Sequence, residues 1–277
     1  MLILSLPIFF IGIIVGSFLN VVILREGIGG KRHKRSICLS CGKQIENKDL
    51  VPVFSFFRLR GRCRSCKSRL SPQYPLVEIA TGLFFVFAFF HAEKIAVVPL
   101  AVADFISLTI IGSLLIIIFV YDLRHKIIPD WTVSSLAFFA ILRLSVIHFL
   151  FGSLFGQFYF MELLAGILSA LPFFLIWLFS GGRLMGLGDA KLMVGLGILL
   201  GFRLFLPAIA VSFWLAALIM GLLILAGKFS KNRKLRLIFG DLGRKSEIPL
   251  GPFLIAGSLL MFFWSAELIG VFFPFMM

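Results

Sequence analysis

The chain has 277 residues, of which 60% are hydrophobic and 14% are charged, and its mean hydropathy is +1.06. Soluble domains are nearer half apolar and a quarter charged, so this composition excludes an ordinary water-soluble globular protein. The net charge of +14 does not indicate nucleic-acid binding, because 13 of the 27 Lys and Arg lie at positions 25–69 and seven more at 228–245. Clusters of this kind are typical of cytoplasmic loops, so we expect a lipid bilayer, and no nucleic acid, as partner.

Apolar segments that approach the length of a membrane span, roughly 20 residues, occur eight times along the chain. They are Leu2–Leu24, Leu76–Phe90, Ala96–Tyr121, Trp131–Phe151, Met161–Ser180, Leu192–Gly201, Leu204–Gly227 and Leu250–Phe273. The second and sixth segments are short, so we expect them to borrow residues from the loops that precede them. The pattern predicts an all-α integral membrane protein with about eight transmembrane helices, seven being the alternative.

The basic loops also predict an orientation. If residues 25–75 are inside, the alternation of spans places 122–130, 181–191 and 228–249 on the same side, and each of these segments carries at least two Lys or Arg residues. The opposite loops, near 91–94, 152–160 and 202–203, are short and carry little charge. Since Lys and Arg accumulate on the cytoplasmic side, we expect the N-terminus outside and these four loops in the cytoplasm.

All four cysteines lie in the first basic loop, as Cys38 and Cys41 followed, after 21 residues, by Cys63 and Cys66. Two C-x-x-C pairs place four thiolates around one tetrahedral zinc ion, and Gly42 suits the tight turn of the first pair. The alternative is a pair of disulfides, which a reducing cytoplasm disfavours. The spacing therefore predicts a small cytoplasmic zinc-binding loop domain. With four protein ligands the metal has no open position, so its role would be structural.

Two acidic residues at span ends are candidate catalytic groups. Asp122 ends the third apolar segment, and Asp189 follows Gly186-Leu-Gly188 between the fifth and sixth segments. Two carboxylates close enough to share a proton can hydrolyse an amide, one acting as base and the other as acid. The two glycines would let the backbone approach a substrate and bend before Asp189. Lys191 would either orient the pair electrostatically or only mark the inner surface.

Structural readings of the same region stay open at this point. Asp130 follows Pro129 and precedes an apolar segment, so we expect it to cap a helix. Asp122 on its own would be an interfacial carboxylate paired with Arg124 or Lys126. Glu162 and His148 lie near the opposite face, and the sequence identifies no partner for either of them.

Together these residues closely resemble the family of type IV prepilin peptidases, the prepilin leader peptidase/N-methyltransferases. The matching segments are 16–23, 38–41, 59–66, 74–78, 122–130, 186–191 and 248–253. The resemblance implies that Asp122 and Asp189 cleave the leader peptide from prepilins or pseudopilins at the cytoplasmic face of the bacterial inner membrane. It also implies N-methylation of the new N-terminal residue with S-adenosylmethionine as donor.

The methyltransferase half is less defined in the sequence. No Rossmann-type glycine fingerprint is present, so any cofactor pocket must be built from membrane helices and the cysteine loop. Glu78 would either contact the cofactor or the substrate ammonium group, or only interact with a helix dipole. We expect residues 1–95 to form the methyltransferase-associated part and residues 96–277 the peptidase. The alternatives are a peptidase without methylation and a non-catalytic scaffold or transporter with a zinc-ribbon loop.

Overall fold

Helices dominate the computed structural model, which describes residues 2–26, 36–38, 40–150, 156–229 and 249–272. These residues form α1 Leu2–Glu26, α2 Phe54–Arg58, α3 Gln73–Glu93, α4 Val98–His125, α5 Asp130–Leu150, α6 Gln157–Ser180, α7 Leu187–Phe229 and α8 Gly251–Phe272. Among the described residues, β-pairing is limited to two isolated β-bridges within the cysteine loop. Six helices, all except α2 and α8, are long and apolar enough to cross a membrane. The prediction of an all-α membrane protein is confirmed.

The longest helix, α7, combines two of the predicted spans. It is interrupted at Gly201, whose φ of 72° and ψ of 178° define a conformation that essentially only glycine adopts. Its parts, 187–200 and 202–229, correspond to the spans predicted at Leu192–Gly201 and Leu204–Gly227. The prediction of a loop at positions 202–203 is wrong, because the single residue Gly201 makes the break. Counting the two parts of α7 separately gives seven candidate spans among the described residues, close to the predicted eight.

Both short predicted segments are extended toward the N-terminus, as expected. Helix α3 begins at Gln73, and α7 begins at Leu187, so Asp189 lies in the first turn of a helix and not in a loop. Helix α4 continues to His125, and Asp122 therefore lies inside its last turn instead of directly after its end. These shifts move both candidate acids into helix termini.

The chain forms two compact units, residues 1–117 and 118–277. In the first unit, α1 and α3 pack through small residues: a Cβ added to Gly12 would lie 2.7 Å from Gly82 Cα, and one added to Gly16 would lie 2.7 Å from Glu78 Cα. Such close backbone approach is the usual basis of helix association in a bilayer, where lipid removes the hydrophobic driving force. These units are defined by packing, so the predicted division of activities near residue 96 stays a prediction.

The second unit packs α5, α6, α7 and α8 around two buried clusters. One contains Ala140, Leu144, Tyr159 and Ile198, and the other Leu200, Ala208, Val211 and Met261. Glycines again allow close approach, since a Cβ at Gly257 would collide with Ser212 of α7. This packing places the first turn of α7, the first turn of α8 and the last turn of α4 within one unit.

Candidate active site and cysteine cluster

Asp122 is a buried carboxylate held by the start of another helix. Its side chain lies in the last turn of α4, with 4% of the residue exposed, and its Oδ2 accepts a hydrogen bond of 3.1 Å from the backbone N–H of Gly251. Gly251 is the first residue of α8, where backbone N–H groups have no partner within the helix. The absence of a side chain is required here, because a Cβ on Gly251 would lie 2.6 Å from that oxygen.

Asp189 is the third residue of α7, within the range of a Coulombic interaction with Asp122. The side chain of Ile128 connects their surroundings. Its Cβ lies 3.1 Å from the position of a Cβ on Gly188, and its Cδ1 lies 3.4 Å from the position of a Cβ on Gly251. Ile128 thus packs against the residues next to which the two acids lie, Gly188 and Gly251. A shared catalytic role for Asp122 and Asp189, 67 positions apart in the sequence, stays a prediction.

Both carboxylates are placed where a helix begins. Asp189 is in the first turn of α7, and Asp122 accepts its hydrogen bond from the first residue of α8. The N-terminal end of a helix carries partial positive charge, which favours a negative group next to it. Two helix N-termini thus offset part of the cost of burying these acidic groups.

The supporting residues predicted from the sequence have different surroundings. Gly188 is helical and packs on Ile128, whereas a Cβ on Gly186 would meet nothing closer than 3.9 Å. Lys191 donates a hydrogen bond of 2.6 Å to Asp130 Oδ1 in an exposed ion pair. Asp130 is itself the first residue of α5 and its carboxylate binds Lys191, which differs from the predicted capping role. The supporting role of these residues stays a prediction.

The four cysteines form one compact cluster. The Sγ atoms of Cys38, Cys41, Cys63 and Cys66 all lie within 4.8 Å of one another, and those of Cys38 and Cys66 are 3.8 Å apart. Tetrahedral zinc with Zn–S bonds of about 2.3 Å requires S···S distances of about 3.8 Å. All four are free thiols, so the alternative of two disulfides is not what the structure has. The donor set fits a structural zinc ion.

The two Cys-x-x-Cys segments have the same backbone geometry. The N–H of Gly42 donates to the carbonyl of Cys38 at 2.8 Å, and the N–H of Lys67 donates to the carbonyl of Cys63 at 3.0 Å. Both donor residues have a left-handed backbone conformation, with φ of 69° for Gly42 and 59° for Lys67. The sequence predicted the first turn from its glycine, whereas lysine gave no such signal for the second.

Electrostatics in the loop favour negative charge on Cys38 and Asp49, whereas the neighbouring thiols Cys38 and Cys66 help to raise the pKa of Cys41 to about 11. Burial acts to raise the pKa of Cys38, but hydrogen bonds from the backbone N–H groups of Cys41 and Ser40 outweigh it and bring the pKa to about 6. Thiolate is the form that binds metal. Elsewhere in the loop, the hydrogen bonds of the Arg64 guanidinium lower the pKa of the Asp49 carboxyl; its Nε donates to Oδ2 at 2.7 Å.

Glu78 connects the cysteine loop to a membrane helix. It is the sixth residue of α3, it is buried, and its Oε2 accepts a hydrogen bond of 2.7 Å from the backbone N–H of Val53. The side chain of Ser17 also interacts with the Glu78 carboxylate. The helix-dipole alternative required a place in the first turn, which this residue does not occupy. Contact with a cofactor or an ammonium group stays a prediction.

Several polar contacts between helices had no signal in the sequence. His148 and Glu162, for which the sequence offered no partner, lie 3.5 Å apart between Nε2 and Oε2. His91 and Asp104 form a similar pair at 3.8 Å. Asn20, buried in α1, donates a hydrogen bond to the backbone carbonyl of Tyr74. Each pair joins different helices, and one-dimensional periodicity does not specify such pairing.

Comparison with known proteins matches both parts of the chain. The model of the Bacterial Peptidase A24 N-terminal domain matches residues 10–92, and that of the Type IV leader peptidase family matches residues 109–225. No solved structure matches the chain.

Three similar relatives are named prepilin leader peptidase/N-methyltransferase. That of Klebsiella pneumoniae is 34% identical over 70% of this chain and 84% of its own length. Those of Pectobacterium carotovorum (32% identical; 77% and 80% covered) and Pseudomonas aeruginosa (27% identical; 93% and 89% covered) match similarly. The resemblance drawn from the motifs is confirmed. The chain therefore belongs to the type IV leader peptidase family, as a membrane peptidase of the prepilin leader peptidase/N-methyltransferase type.

Proposed function

We propose that this chain cleaves the leader peptide from prepilins or pseudopilins, with Asp122 and Asp189 as the catalytic pair. The observation that carries the proposal is the buried Asp122 carboxylate, held by Gly251 and within Coulombic range of the Asp189 carboxylate. No structural need explains two acids placed together in an apolar unit, and ionisable groups at membrane depth are functional candidates by default.

The chemistry follows from the closeness of the two charges. Two carboxylates that interact strongly do not ionise together, so one keeps a proton and the pair titrates as a unit. The ionised member takes a proton from a water molecule, which attacks the scissile carbonyl, and the protonated member donates a hydrogen bond to the carbonyl oxygen. The N–H of Gly251 fixes one oxygen of Asp122, which leaves its second oxygen for water or substrate.

The substrate class and the side of the membrane are part of the same proposal. The relatives' names specify prepilins, and a precursor with an apolar helix would present its cleavage point at a membrane interface. The basic loops support a multi-pass arrangement in the bacterial inner membrane, with the N-terminus outside and the catalytic pair at the cytoplasmic face. Asp122 and Asp189 each lie at a helix end, as an interfacial site requires.

We further propose that the same chain methylates the exposed N-terminal residue, with S-adenosylmethionine supplying the methyl group. The relatives' names support this activity. Cys38, Cys41, Cys63 and Cys66 would hold zinc with no open coordination position, so the ion would stabilise the loop and take no part in the reaction. Glu78, between α3 and the loop, is the residue that we expect to act near the methyl-accepting amine.

Co-expression with a candidate prepilin tests the catalytic pair. We expect Asp122→Asn and Asp189→Asn each to abolish cleavage, while Asp130→Asn, which changes an exposed acid near the same membrane face, leaves cleavage intact. Intact mass of the pilin reports both activities, because cleavage removes the leader and methylation adds one methyl group. Cleavage by either active-site variant at the wild-type rate would support the scaffold alternative. Cleaved but unmethylated pilin from the wild type would support a peptidase alone.

A further inference from the structure

The short helix α2 presents two aromatic side chains outward from the cysteine loop. Phe54 and Phe57 are 61% and 65% exposed, and their spacing of three residues puts them on one face of the helix. Phe56 points elsewhere, since its ring lies 3.1 Å from the position of a Cβ on Gly61. Exposed apolar side chains on a spanning helix face lipid, but α2 spans nothing, so its outer face needs another explanation.

The start of α2 is held at the level of a membrane span. The N–H of Val53, which directly precedes α2, donates to Glu78 in the second turn of α3. At 1.5 Å per residue, Glu78 lies about 8 Å along a helix of about 31 Å, and that helix is barely longer than the hydrocarbon core. If α3 spans the bilayer, this contact puts the start of α2 close to the end of that span and not far out in the aqueous phase.

The turn into α2 has a fixed and unusual geometry. Val53 has φ of 61° and ψ of −56°, and the N–H of Phe54 donates to the carbonyl of Pro52 at 2.6 Å, which together define a γ-turn of the rare positive-φ form. A β-branched residue adopts this conformation only when its surroundings impose it. The hydrogen bond from Val53 to Glu78 is such a constraint. The fold therefore fixes the direction of α2 relative to α3.

Positive charge follows the aromatic face directly. Arg58, Arg60 and Arg62 are all exposed, and Arg60 adopts a left-handed φ of 51° immediately before Gly61. A basic cluster beside inserted aromatic side chains is complementary to a bilayer surface that contains acidic phospholipids.

We propose that α2 is an interfacial anchor. Phe54 and Phe57 insert at the level of the upper acyl chains, and Arg58, Arg60 and Arg62 bind the phosphate groups of acidic lipids. The anchor holds the four-cysteine loop flat against the bilayer. It does not depend on the proposed catalytic pair, because every residue that carries it lies in the first compact unit.

The test uses the full-length protein in lipid nanodiscs with Phe57→Trp as a reporter. Wild-type protein, which has four tryptophans, provides the background. We expect the added fluorescence to be quenched by lipids with brominated acyl chains and to be shielded from aqueous iodide. Free quenching by iodide with no effect of the brominated lipids would overturn the proposal.

The charge requirement is tested in the same reporter background. Each basic residue near an acidic surface favours association by about fivefold, so replacing Arg58, Arg60 and Arg62 together by Gln should lower the docked-to-undocked ratio by about 100-fold. The matched control, Lys43→Gln with Lys48→Gln, removes two exposed loop cations and should have little effect. Nanodiscs of purely zwitterionic lipid should reproduce the loss seen with the arginine variants.

Other occupants of the aromatic face have distinct signatures. If a second copy of the chain covers it, iodide shielding will appear only with more than one protein molecule per disc. If the prepilin covers it, shielding will appear only after substrate is added. Either result, or equal docking in zwitterionic and acidic discs, rejects the acidic lipid surface as its partner.

Discussion

Replacing Gly251 with alanine tests whether the position of Asp122 matters for catalysis without removing either acid. The added Cβ would lie 2.6 Å from Asp122 Oδ2 and 3.3 Å from its Cγ. Ordinary contact begins at 3.4 Å, so the carboxylate or the start of α8 must move by about 0.8 Å (3.4 minus 2.6). The same movement weakens the hydrogen bond from the Gly251 N–H, which is 3.1 Å long in the wild type.

The magnitude follows from the geometric demands of catalysis. A misplacement of about 1 Å at a reacting group costs about 10²-fold in rate. We therefore expect Gly251→Ala to lower kcat for prepilin cleavage by 10- to 100-fold, to order of magnitude, with a small change in KM. The variant keeps both carboxylates, so a loss of this size reports their placement. The assay is cleavage of a purified prepilin in detergent, and mass spectrometry of the pilin measures the fraction cleaved over time.

Other glycines provide a graded set of controls. The nearest contact of an added Cβ is 3.1 Å at Gly188, 3.9 Å at Gly186 and beyond 4 Å at Gly221. The loss of activity should therefore fall in the order Gly251, Gly188, Gly186, with Gly221→Ala equal to the wild type. Thermal unfolding of each variant separates misplacement from destabilisation. Wild-type activity for a folded Gly251→Ala protein would refute the view that the site depends on this carboxylate position.

Three further substitutions probe the rest of the molecule. Gly12→Ala forces α1 and α3 apart, because its Cβ would lie 2.7 Å from Gly82 Cα; we expect a loss of about 1–3 kcal/mol in stability, seen as a lower Tm than for Gly221→Ala. Cys38→Ser should remove zinc, measured by mass spectrometry of the metal, and should reduce methylation more than cleavage. Asp49→Asn should increase the protease sensitivity of the cysteine loop at pH 7. Arg64 lowers the pKa of Asp49, so the ion pair stabilises the folded loop at pH values above the ordinary Asp pKa of about 4. The difference between Asp49→Asn and wild type should disappear as the pH falls through the lowered pKa, and a difference that persists in acid would contradict this reading.

Local patterns predicted the features that depend on short stretches of chain. The membrane spans follow from the length of apolar segments, because in lipid every backbone group must be satisfied within the helix. The cysteine cluster follows from the two Cys-x-x-Cys pairs, whose four Sγ atoms the structure gathers within 4.8 Å. The break at Gly201 was located correctly but was expected to be a loop, since hydropathy does not distinguish a one-residue break from a short connection.

Contacts between distant parts of the chain were not predictable in the same way. The donor to Asp122 is the N–H of Gly251, 129 positions away, and a backbone group carries no sequence signal of its partner. The bond from Val53 to Glu78 is likewise a backbone contact, so the sequence left Glu78 with two readings and suggested neither a turn nor an anchor. Lys191 was expected either to orient the acids or only to mark the inner surface, and the sequence did not indicate that its side chain binds Asp130.

The backbone donor that the sequence did not reveal, the N–H of Gly251, changes how the surroundings of the two acids are understood. From the sequence, the pair was two carboxylates at span ends, with Lys191 as the nearest candidate for electrostatic support. In the structure, support comes from the backbone, through the first residue of α8 for Asp122 and the first turn of α7 for Asp189. The N-terminal end of a helix provides partial positive charge without a titratable group, so it does not neutralise either acid by proton transfer. This support adds no further titratable group to the two acids, which is compatible with the acid–base roles proposed for them.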